Sequence, residues 1–595
     1  MTAIEYENIM LLKECSTDKS SDNEFVNDLA RDIHFRVILD FIYTYLVERN
    51  IKSPLLFFRK CFIYHNYEPH YVVEFRNRNI LEECERLHTA FLNSTFKINQ
   101  GHIVRSLSKD NIISEGKVYT QKNVADDIVS RTMSNVLITH NTHSLDFACG
   151  TGRFYDSLAK NYESAGIDRE YSILHCIDAI DIDPVAINIT RLKACDRIST
   201  LSIKNAVLIT QRIQWKNALI PGQIEELCLF NNETLYDVIV SNPPYLVLKP
   251  SHKTSTKLAL DIKKQVKYYQ TSGLYNFSLE GMLNLYQLSI ERMISLLKPY
   301  GELGVICPST LFADKSATKL RKFLLQHNKV RQVIYFPEKT ILFENNVTQA
   351  TSIFTLQKAG QTDSISVSYK GESFVIDIQR LKGLFAENLE IPLISGQDWK
   401  VLMHLAKFPK LKSYSYIRNR RGELDLTLNG KYISQERTSL RLIRGKMITE
   451  KGIQSKGAEF VSEEFLKTKS NDFIQNDFGK IRLVGQNISN VDNLWRLRFN
   501  FCEPNDILGN SCNYLSAELP ILKKLHILLS SRLLNWRFKI TSSNNHINNY
   551  ELAELPIVDL NRIDEELVFN TQSELDSYVE FLYGFKEKEL DNIFQ

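Results

Sequence analysis

The segment Ser144-Leu-Asp-Phe-Ala-Cys-Gly-Thr-Gly-Arg-Phe154 is the strongest indication of the fold of this chain. It predicts a short buried strand that runs directly into a turn with glycines at positions 150 and 152. Because glycine has no Cβ, such a strand-to-helix turn lets the backbone approach a ligand closely, and a nucleotide-like cofactor is the expected guest. A dinucleotide-binding fingerprint would place a third glycine where this chain has Tyr155, so the pattern argues against NAD.

On both sides of this turn, from residue 111 to 365, short β-rich apolar runs alternate with helical segments. This alternation is typical of an α/β fold with a doubly wound, mostly parallel sheet. An amphipathic helix is expected over Leu283–Leu297. Ligands of such a sheet lie beyond the carboxyl ends of its strands, so the functional residues should follow the strands directly. The predicted strands are Ser144 to Ala148, Cys176 to Ile182, Tyr236 to Ser241, Leu303 to Cys307, Val330 to Phe336 and Thr351 to Leu356.

The regions that flank this domain have different patterns. Residues 1–110 repeat apolar side chains at three- and four-residue spacing, which predicts a helical N-terminal extension whose function the sequence does not indicate. Residues 366–595 lose this periodicity and mix polar turns with basic and aromatic residues. A separate, loop-rich C-terminal domain is the expectation there.

Length, charge and cysteine usage exclude several classes of protein. A chain of 595 residues with 43% hydrophobic and 24% charged residues predicts two or three ordinary globular domains. Its ten scattered cysteines contain no CxxC pair, which argues against a disulfide framework and against a zinc ribbon. No apolar stretch is long enough to span a bilayer, and the start of the chain lacks a signal-peptide pattern. We therefore expect a cytoplasmic protein without a metal site.

The charge of the chain is uneven. The net charge is only +3, but residues 401–550 contain 24 Lys and Arg against 13 Asp and Glu. A basic lobe in an otherwise mildly acidic chain indicates a local surface for phosphates.

The second predicted strand ends at Asp181-Ile-Asp183-Pro184. A carboxylate at the end of a second strand can accept both hydrogen bonds of a ribose diol, so Asp181 is the predicted ribose ligand. Asp183 is as compatible with an ordinary helix N-cap as with a ligand contact.

The third strand has the strongest functional signal, because Tyr236-Asp-Val-Ile-Val-Ser stops at Asn242-Pro-Pro-Tyr245. An exocyclic amine on an aromatic base is a poor nucleophile, since its lone pair is delocalised into the ring. The side-chain oxygen of Asn242 and the carbonyl of Pro243 can accept both N–H bonds of such an amine, while Tyr245 stacks on the base. Prolines restrict φ, so Pro243 and Pro244 hold these acceptors in place before the base arrives.

These motifs, in this order, resemble the γ class of amino DNA methyltransferases, the TaqI-like enzymes of type II restriction-modification systems. The resemblance extends from about Gly116 to the end of the chain. It implies a Rossmann-like sheet typical of S-adenosylmethionine-dependent methyltransferases, with S-adenosylmethionine as cofactor, and a mixed C-terminal target-recognition domain. Gln121 and Phe147 stand where the family commonly has proline, and Asn217 stands where it has aspartate.

The resemblance also assigns roles residue by residue. By their match to the family's motifs, the catalytic residues are Asn242, Pro243, Pro244, Tyr245 and the second base-stacking aromatic, Phe343. The implied cofactor-binding residues are Tyr119, Thr120, Asp146, Ala148, Gly150, Gly152, Asp181, Ile182, Asn217 and Ala218.

The implied reaction is direct transfer of a methyl group to N6 of an adenine flipped out of duplex DNA. The chain would be the modification enzyme of a restriction-modification system in a bacterial cytoplasm, associated with the nucleoid through DNA, beside a separate cognate endonuclease. The lysine-rich segment 246–270 predicts a mobile loop that closes over DNA phosphates. The expected DNA contacts are Lys249, Lys253, Lys257, Asn544, Asn545 and His546.

Several alternatives remain open from the sequence. Methylation of cytosine N4 uses the same amine geometry. Methyltransferases that act on RNA, or on a glutamine of translation release factors, share Asn-Pro-Pro-Tyr, but the latter are about half this length and lack the basic C-terminal domain. A non-catalytic DNA-binding subunit would not need the complete set of motif residues. Cytosine C5 chemistry is excluded, because the chain has no Pro-Cys dipeptide.

Overall fold

The chain folds as two compact units. The first comprises Met1–Leu381 with Glu387–Glu390, and the second comprises Lys382–Ala386 with Ile391–Gln595. The computed structural model describes residues 2–14, 23–76, 78–99, 102–107, 119–220, 235–250, 256–344, 349–455, 459–490, 493–542, 545–586, 588–591 and 593–594. Among these residues, no helix is both long and apolar enough to cross a bilayer.

The N-terminal part of the first unit is helical, as predicted, but it also contains a β-hairpin. The helices are α1 (Ala3–Glu14), α2 (Asn23–Glu48), α3 (Pro54–Cys61) and α4 (Ile80–Leu92). The hairpin consists of the antiparallel strands β1 (Ser94–Asn99) and β2 (His102–Leu107). Side-chain burial alternates along both strands, as a strand period of two requires: Phe96 and Ile103 are buried, whereas Lys97 and Val104 are exposed. The expectation of an all-helical extension was therefore wrong at its C-terminal end.

A nine-stranded sheet forms the centre of the first unit. Its order is β11-β10-β8-β9-β7-β6-β3-β4-β5, and the five strands from β7 to β5 in this order run parallel. β9 is antiparallel to its neighbours β7 and β8. The strands are β3 (Ser144–Phe147), β4 (Ile177–Asp181), β5 (Ile213–Trp215), β6 (Tyr236–Ser241), β7 (Leu297–Pro308), β8 (Asn328–Phe336), β9 (Thr351–Lys358), β10 (Ser364–Tyr369) and β11 (Glu372–Asp377).

This sheet confirms the predicted Rossmann-like α/β fold class. All six predicted strands are present, and β5, β10 and β11 were not predicted. The strand order reverses at β3, which lies between β4 and β6, and ligands of such sheets bind at this reversal. The domain boundary expected at residue 365 falls within β10, and the first unit continues to Leu381.

Helices precede, connect and follow the strands of this sheet, and those between parallel strands form the crossover connections. They are α5 (Lys122–Met133), α6 (Arg153–Ser164), α7 (Pro184–Asp196), α8 (Ile203–Arg212), α9 (Thr256–Thr271), α10 (Leu285–Leu296), α11 (Thr318–His327) and α12 (Ile378–Phe385). α10 is the amphipathic helix predicted from the sequence. α9 occupies much of the segment that was predicted to be a mobile loop.

The second unit is a mixture of short strands and helices, in agreement with the predicted mixed fold class. One four-stranded sheet has the order β12-β21-β18-β19, and another has the order β13-β17-β14-β20. The strands are β12 (Arg418–Arg421), β13 (Ile433–Ser434), β14 (Leu440–Ile443), β15 (Ile448–Thr449), β16 (Gly452–Ile453), β17 (Glu459–Val461), β18 (Arg482–Gln486), β19 (Phe499–Cys502), β20 (Ile507–Leu508) and β21 (Cys512–Ser516). The helices are α13 (Gly396–Leu405), α14 (Asn471–Asn476), α15 (Leu519–Leu529), α16 (Arg532–Lys539), α17 (Asn549–Ala553) and α18 (Gln572–Leu582).

The N-terminal extension packs into the same core as the sheet. One cluster of buried apolar residues includes Phe58 of α3, Ile187 of α7 and Val240 of β6. Asn188 of α7 adds a polar tie, because its side chain accepts a hydrogen bond from the Ile63 N–H (2.9 Å) and donates one to the Ile63 carbonyl (2.8 Å). The extension and the sheet therefore fold as one body.

The Asn188 tie predicts a measurable stability loss. Asn188→Ala leaves a buried N–H and a buried carbonyl without partners, which should lower the free energy of unfolding by about 2–3 kcal/mol. Asn141 is exposed, and Asn141→Ala should change it by less than about 0.5 kcal/mol. Urea denaturation followed by circular dichroism measures both, and equal stabilities of the two variants would contradict the proposed tie.

Candidate active site

A cavity of about 310 Å³ lies at the carboxyl ends of β3, β4, β5 and β6. It joins the glycine turn after β3 to the Asn242 motif after β6, because both contribute to its wall. The residues predicted from the sequence that line this cavity are Tyr119, Thr120, Ala148, Gly150, Asp181, Ile182, Asn217, Ala218, Asn242 and Pro244.

The glycine turn has the conformation that its glycines permit. Gly150 and Gly152 adopt φ values of +52° and +76°, in the left-handed region where a Cβ is unfavourable. The Gly150 N–H donates to Asp181 Oδ2 at 2.8 Å. A Cβ built on Gly150 would lie 2.6 Å from a ring carbon of Tyr119. Position 150 therefore has no space for a side chain.

Asp181 holds this turn as well as lining the cavity. Its second oxygen, Oδ1, accepts from the Asp183 N–H at 2.8 Å. Asp183 in turn caps α7 by accepting from the Val185 N–H at 2.9 Å, which is the N-cap alternative considered for this residue. Because each carboxylate oxygen can accept more than one hydrogen bond, these contacts leave Asp181 able to bind a ligand hydroxyl.

Asp146 and Gly152, two of the predicted cofactor-binding residues, are not among the residues that line the cavity. Asp146 is fully buried in β3, and its Oδ2 accepts from the Tyr155 N–H at 2.8 Å. Burial raises the pKa of this carboxyl well above its ordinary value. A Cβ on Gly152 would meet Thr190 at 3.0 Å. Both residues therefore contribute to the turn through their local contacts, without lining the cavity.

Of the predicted catalytic residues, Asn242 and Pro244 line the cavity, whereas Pro243, Tyr245 and Phe343 are not among its lining residues. The Tyr245 hydroxyl donates to the Ile306 carbonyl at 3.1 Å. The Tyr245 and Phe343 rings meet edge to face, with centroids 6.2 Å apart and planes at 75°. Such an arrangement buries both rings against each other, so they do not frame an open slot for a base in this structure.

Backbone pairing places Phe343 beside the segment that contains Tyr119 and Thr120. The Gln121 N–H donates to the Leu342 carbonyl, and the Glu344 N–H donates to the Tyr119 carbonyl, both at 3.0 Å. The two segments that carry Tyr119 and Phe343 are thus held side by side. This pairing could not be predicted from the sequence, because more than 200 residues separate the two segments.

Asn217 lines the cavity, but its side-chain oxygen is already used within the local turn. Asn217 Oδ1 accepts from the Leu219 N–H at 3.0 Å. The Leu219 carbonyl accepts from the Tyr275 hydroxyl at 2.6 Å, which anchors this wall to the segment after α9. The predicted contact of the Asn217 side chain with an adenine therefore competes with a local hydrogen bond.

Several lining residues escaped the sequence analysis, among them Gln265 and Tyr269 of α9. These two residues are four apart and share one face of α9, while Lys263, Lys264 and Lys267 are exposed. The many lysines favoured a loop, and the helical spacing of the residues between them was the signal that could have corrected it.

Two buried hydroxyls of the cavity wall are chemically informative. Thr120 Oγ1 and Ser289 Oγ, the latter on α10, have no hydrogen-bond partner within the part of the chain that the structure describes. An unpaired buried hydroxyl costs about 1–3 kcal/mol, so a polar ligand in this cavity would relieve that cost. The residues present therefore fit a polar cofactor.

The predicted DNA contacts are only partly described. Lys249 is exposed, whereas Lys253, the side chain of Lys257, and Asn544 lie outside the described residues. Asn545 and His546, in the second unit, are exposed, and their segment pairs through its backbone with Ile488 and Ser489.

Comparison with known proteins finds similarity to restriction-modification methylases. Residues 175–343 match the family model of the Eco57I restriction-modification methylases. This part of the chain is therefore similar to the methylases of that family. The matched range contains Asp181, Asn242 and Phe343, whereas Tyr119 and the glycine turn precede it.

Curated relatives support the same assignment. The chain is 25% identical over 315 residues to the type II restriction enzyme and methyltransferase RM.Eco57I of Escherichia coli, a match that covers 45% of this chain and 30% of that protein. It is 28% identical over 163 residues to the type II methyltransferase M.HincII of Haemophilus influenzae, covering 27% of this chain and 30% of the relative. The matches thus span about 30% of the length of these relatives. The predicted resemblance to type II restriction-modification methyltransferases of the γ class is confirmed.

Among solved structures, the type IIG restriction endonuclease BpuSI aligns with 95% of this chain and 74% of its own. The sequence identity is 14% and the TM-score is 0.45.

Substitution of Gly150 tests whether the close approach of Tyr119 shapes the cavity. Gly150→Ala and Gly166→Ala both place a Cβ at positive φ, which should cost about 1–2 kcal/mol in each case. Only Gly150→Ala must also displace Tyr119, because a Cβ at Gly166 has no neighbour within 4 Å. Isothermal titration calorimetry with S-adenosylhomocysteine should show at least about tenfold weaker binding for Gly150→Ala alone. Equal affinities of the two variants would refute this role of Gly150.

Proposed function

We propose that this protein is a site-specific DNA methyltransferase that transfers a methyl group from S-adenosylmethionine to N6 of an adenine flipped out of duplex DNA. The observation that carries the proposal is the single cavity that joins the glycine turn and Asp181 to Asn242. A binding module would need only one of these two sites. Their junction supports a reaction between two bound molecules.

The walls of the cavity suit the cofactor. S-adenosylmethionine, when bound, supplies an electrophilic methyl group on a positively charged sulfur. Asp181 would accept from the ribose hydroxyls, and the hydroxyls of Thr120 and Ser289 would find partners among its polar groups. Asp146 and Gly152 would act only through the turn that they support. The residues that would hold the cofactor directly are Tyr119, Thr120, Ala148, Gly150, Asp181, Ile182, Asn217 and Ala218.

Asn242 would hold the nucleophile. Its side-chain oxygen and the Pro243 carbonyl would accept the two N–H bonds of the adenine amine, which draws electron density back onto N6 and directs its lone pair into the cavity. The residue lies directly after β6, next to the end of β3, because Asp146 pairs with Val240. Holding both reactants in one cavity contributes about 7–11 kcal/mol for well-aligned groups.

The target base must leave the duplex to reach this cavity, at a cost of a few kcal/mol. Stacking on Tyr245 and Phe343 would offset part of this cost. Because the two rings pack edge to face in this structure, admitting a base between them requires them to move apart. We propose adenine rather than cytosine as the target because the resemblance of the Asn-Pro-Pro-Tyr motif to the γ-class enzymes implies adenine.

Two basic surfaces would bind DNA. In the first unit, α9 exposes Lys263, Lys264 and Lys267 beside the cavity that Gln265 and Tyr269 line. The second unit includes the basic stretch 401–550 and would recognise the target sequence, with Asn545 and His546 among its contacts. In a bacterial cytoplasm, the protein would be the modification enzyme beside a cognate endonuclease.

Expression in cells tests the reaction and identifies the base. Genomic DNA from cells that express the protein should contain N6-methyladenine in one sequence context, as read by modification-sensitive sequencing. Cells that express Asn242→Ala should lack it, because loss of the acceptor should lower the rate by at least about 10²- to 10³-fold. N4-methylcytosine in place of N6-methyladenine would change the proposed base, and full methylation by the Asn242→Ala variant would refute the role of Asn242.

The same variants separate catalysis from cofactor binding. Asn242→Ala should bind S-adenosylhomocysteine with an affinity within about threefold of the unmodified protein, because Asn242 acts on the base. Asp181→Ala should weaken this binding by at least about tenfold, since it removes both the ribose acceptor and the bond to Gly150. Calorimetric titration measures both, and unimpaired binding by Asp181→Ala would argue against the assignment.

Salt dependence tests the basic face of α9. Replacing Lys263, Lys264 and Lys267 with Gln should reduce the slope of log K against log[salt] for duplex DNA by about 2 to 3, since each phosphate contact contributes about 0.9. Gln retains helix propensity, so α9 should persist. A control with the same charge change replaces Lys52, Lys60 and Lys204, which are exposed around α3 and α8. An unchanged slope in the α9 variant would show that these lysines do not contact phosphates.

A further inference from the structure

The N-terminal extension contains a line of buried polar side chains that ends at the candidate active site. Glu7 of α1, His34 of α2, His88 of α4 and Tyr119 follow one another in space. Glu7 Oε1 lies 2.6 Å from His34 Nδ1, His34 Nε2 lies 3.0 Å from His88 Nδ1, and His88 Nε2 lies 3.1 Å from the Tyr119 hydroxyl. Each distance is that of a hydrogen bond.

The line is sealed from water. The relative exposures are 0% for Glu7 and 1% for both His34 and His88. Phe91 stacks on the His34 ring with centroids 4.1 Å apart, which fixes the plane of the imidazole. Polar groups in such a setting contribute favourably only when each is paired, so the line acts as one connected unit.

The groups at the Glu7 end of the line determine which atoms donate and which accept in its hydrogen bonds. Glu7 also forms an ion pair with Arg105 of β2, so its carboxylate accepts the hydrogen of His34 Nδ1. Burial lowers the pKa of His34 to about 3, so the ring is neutral and its other nitrogen is an acceptor. His88 Nδ1 must then donate to His34. At the other end of the line, His88 Nε2 lies within hydrogen-bonding distance of the Tyr119 hydroxyl.

The outer end of the line lies in the wall of the cavity. Tyr119 is one of its lining residues, and its ring packs over Gly150 so closely that a Cβ there would be 2.6 Å away. The carboxylate of Asp183, which also lines the cavity, lies 3.9 Å from His88 Nε2, beyond hydrogen-bonding distance. His88 Nε2 thus holds the Tyr119 hydroxyl, while the Tyr119 ring lies against Gly150.

We propose that His88, held by His34 and Glu7, is a positioning residue for the cofactor site: it fixes Tyr119 against the glycine turn and makes the N-terminal extension part of the cofactor-binding wall. The inference rests on the proposed function, because cofactor binding is its readout. Residues 1–110, for which the sequence indicated no function, thereby acquire one.

Calorimetric binding of S-adenosylhomocysteine to the full chain tests this role. His88→Phe keeps a ring of similar size but removes both hydrogen bonds, and it should weaken binding about tenfold. His88→Gln offers one donor and one acceptor, and it should restore most of the affinity. Tyr162→Phe is the matched control, because Tyr162 is a buried tyrosine whose hydroxyl donates to the Thr142 carbonyl and which is not among the lining residues.

A double-mutant cycle separates positioning from a general loss of stability. If His88 acts through the Tyr119 hydroxyl, Tyr119→Phe should lower the affinity by itself, and His88→Phe should add less than about threefold in that background. In methyl transfer, His88→Phe should raise KM for the cofactor while kcat at saturating cofactor stays within about threefold.

The outcomes distinguish the two proposals. If the unmodified protein binds neither S-adenosylmethionine nor S-adenosylhomocysteine, the proposed function fails. If the unmodified protein binds S-adenosylhomocysteine, and His88→Phe and Tyr119→Phe both bind it with the same affinity as the unmodified protein, the role of His88 is overturned. Should His88→Phe fail to fold by circular dichroism, Tyr119→Phe and His88→Gln decide: unimpaired binding by Tyr119→Phe overturns the role, and a loss there with recovery in His88→Gln supports it.

Discussion

The hydrogen bond from the Gly150 amide to the Asp181 carboxylate is the interaction on which the candidate active site depends. It joins the loop after β3 to the end of β4, and it requires a backbone conformation that glycine adopts readily. Tyr119 can lie against this turn only because residue 150 has no side chain. Asp181, Gly150 and Tyr119 thus determine one another's positions, and all three line the cavity.

The sheet explains why these groups meet. β3 pairs with β4 on one side and with β6 on the other, so the residues after all three strands emerge at one edge. Asn242 and Asp181 are 61 positions apart in the chain, yet both line one cavity because their strands flank β3. Strand order alone brings the two reactant sites of the proposed reaction together.

Much of this arrangement could be predicted from the sequence, because buried parallel strands appear as apolar runs and glycine turns and Asn-Pro-Pro-Tyr are local patterns. The features that the sequence did not predict depend on how side chains pack in the folded chain. Asp146 matched a cofactor motif, but its carboxylate is directed to the Tyr155 amide. Tyr245 and Phe343 could be picked out by their positions in sequence motifs, whereas the packing of their rings depends on the tertiary structure. The link from His88 to Tyr119 has no local signature, because isolated histidines in helices resemble ordinary core residues.

The central position of β3 has a consequence for any fragment of this protein. The segment recognisable by family, residues 175–343, begins after β3 and therefore omits the strand to which both β4 and β6 are bonded. A polypeptide cut to those limits would separate β4 from β6, and because it also ends before β9 it would separate β7 from β8, leaving unpaired strand edges at both breaks. The range that matches the family model and the compact structural unit of this protein thus have different boundaries. A fragment intended to fold should follow the boundaries of the structural unit.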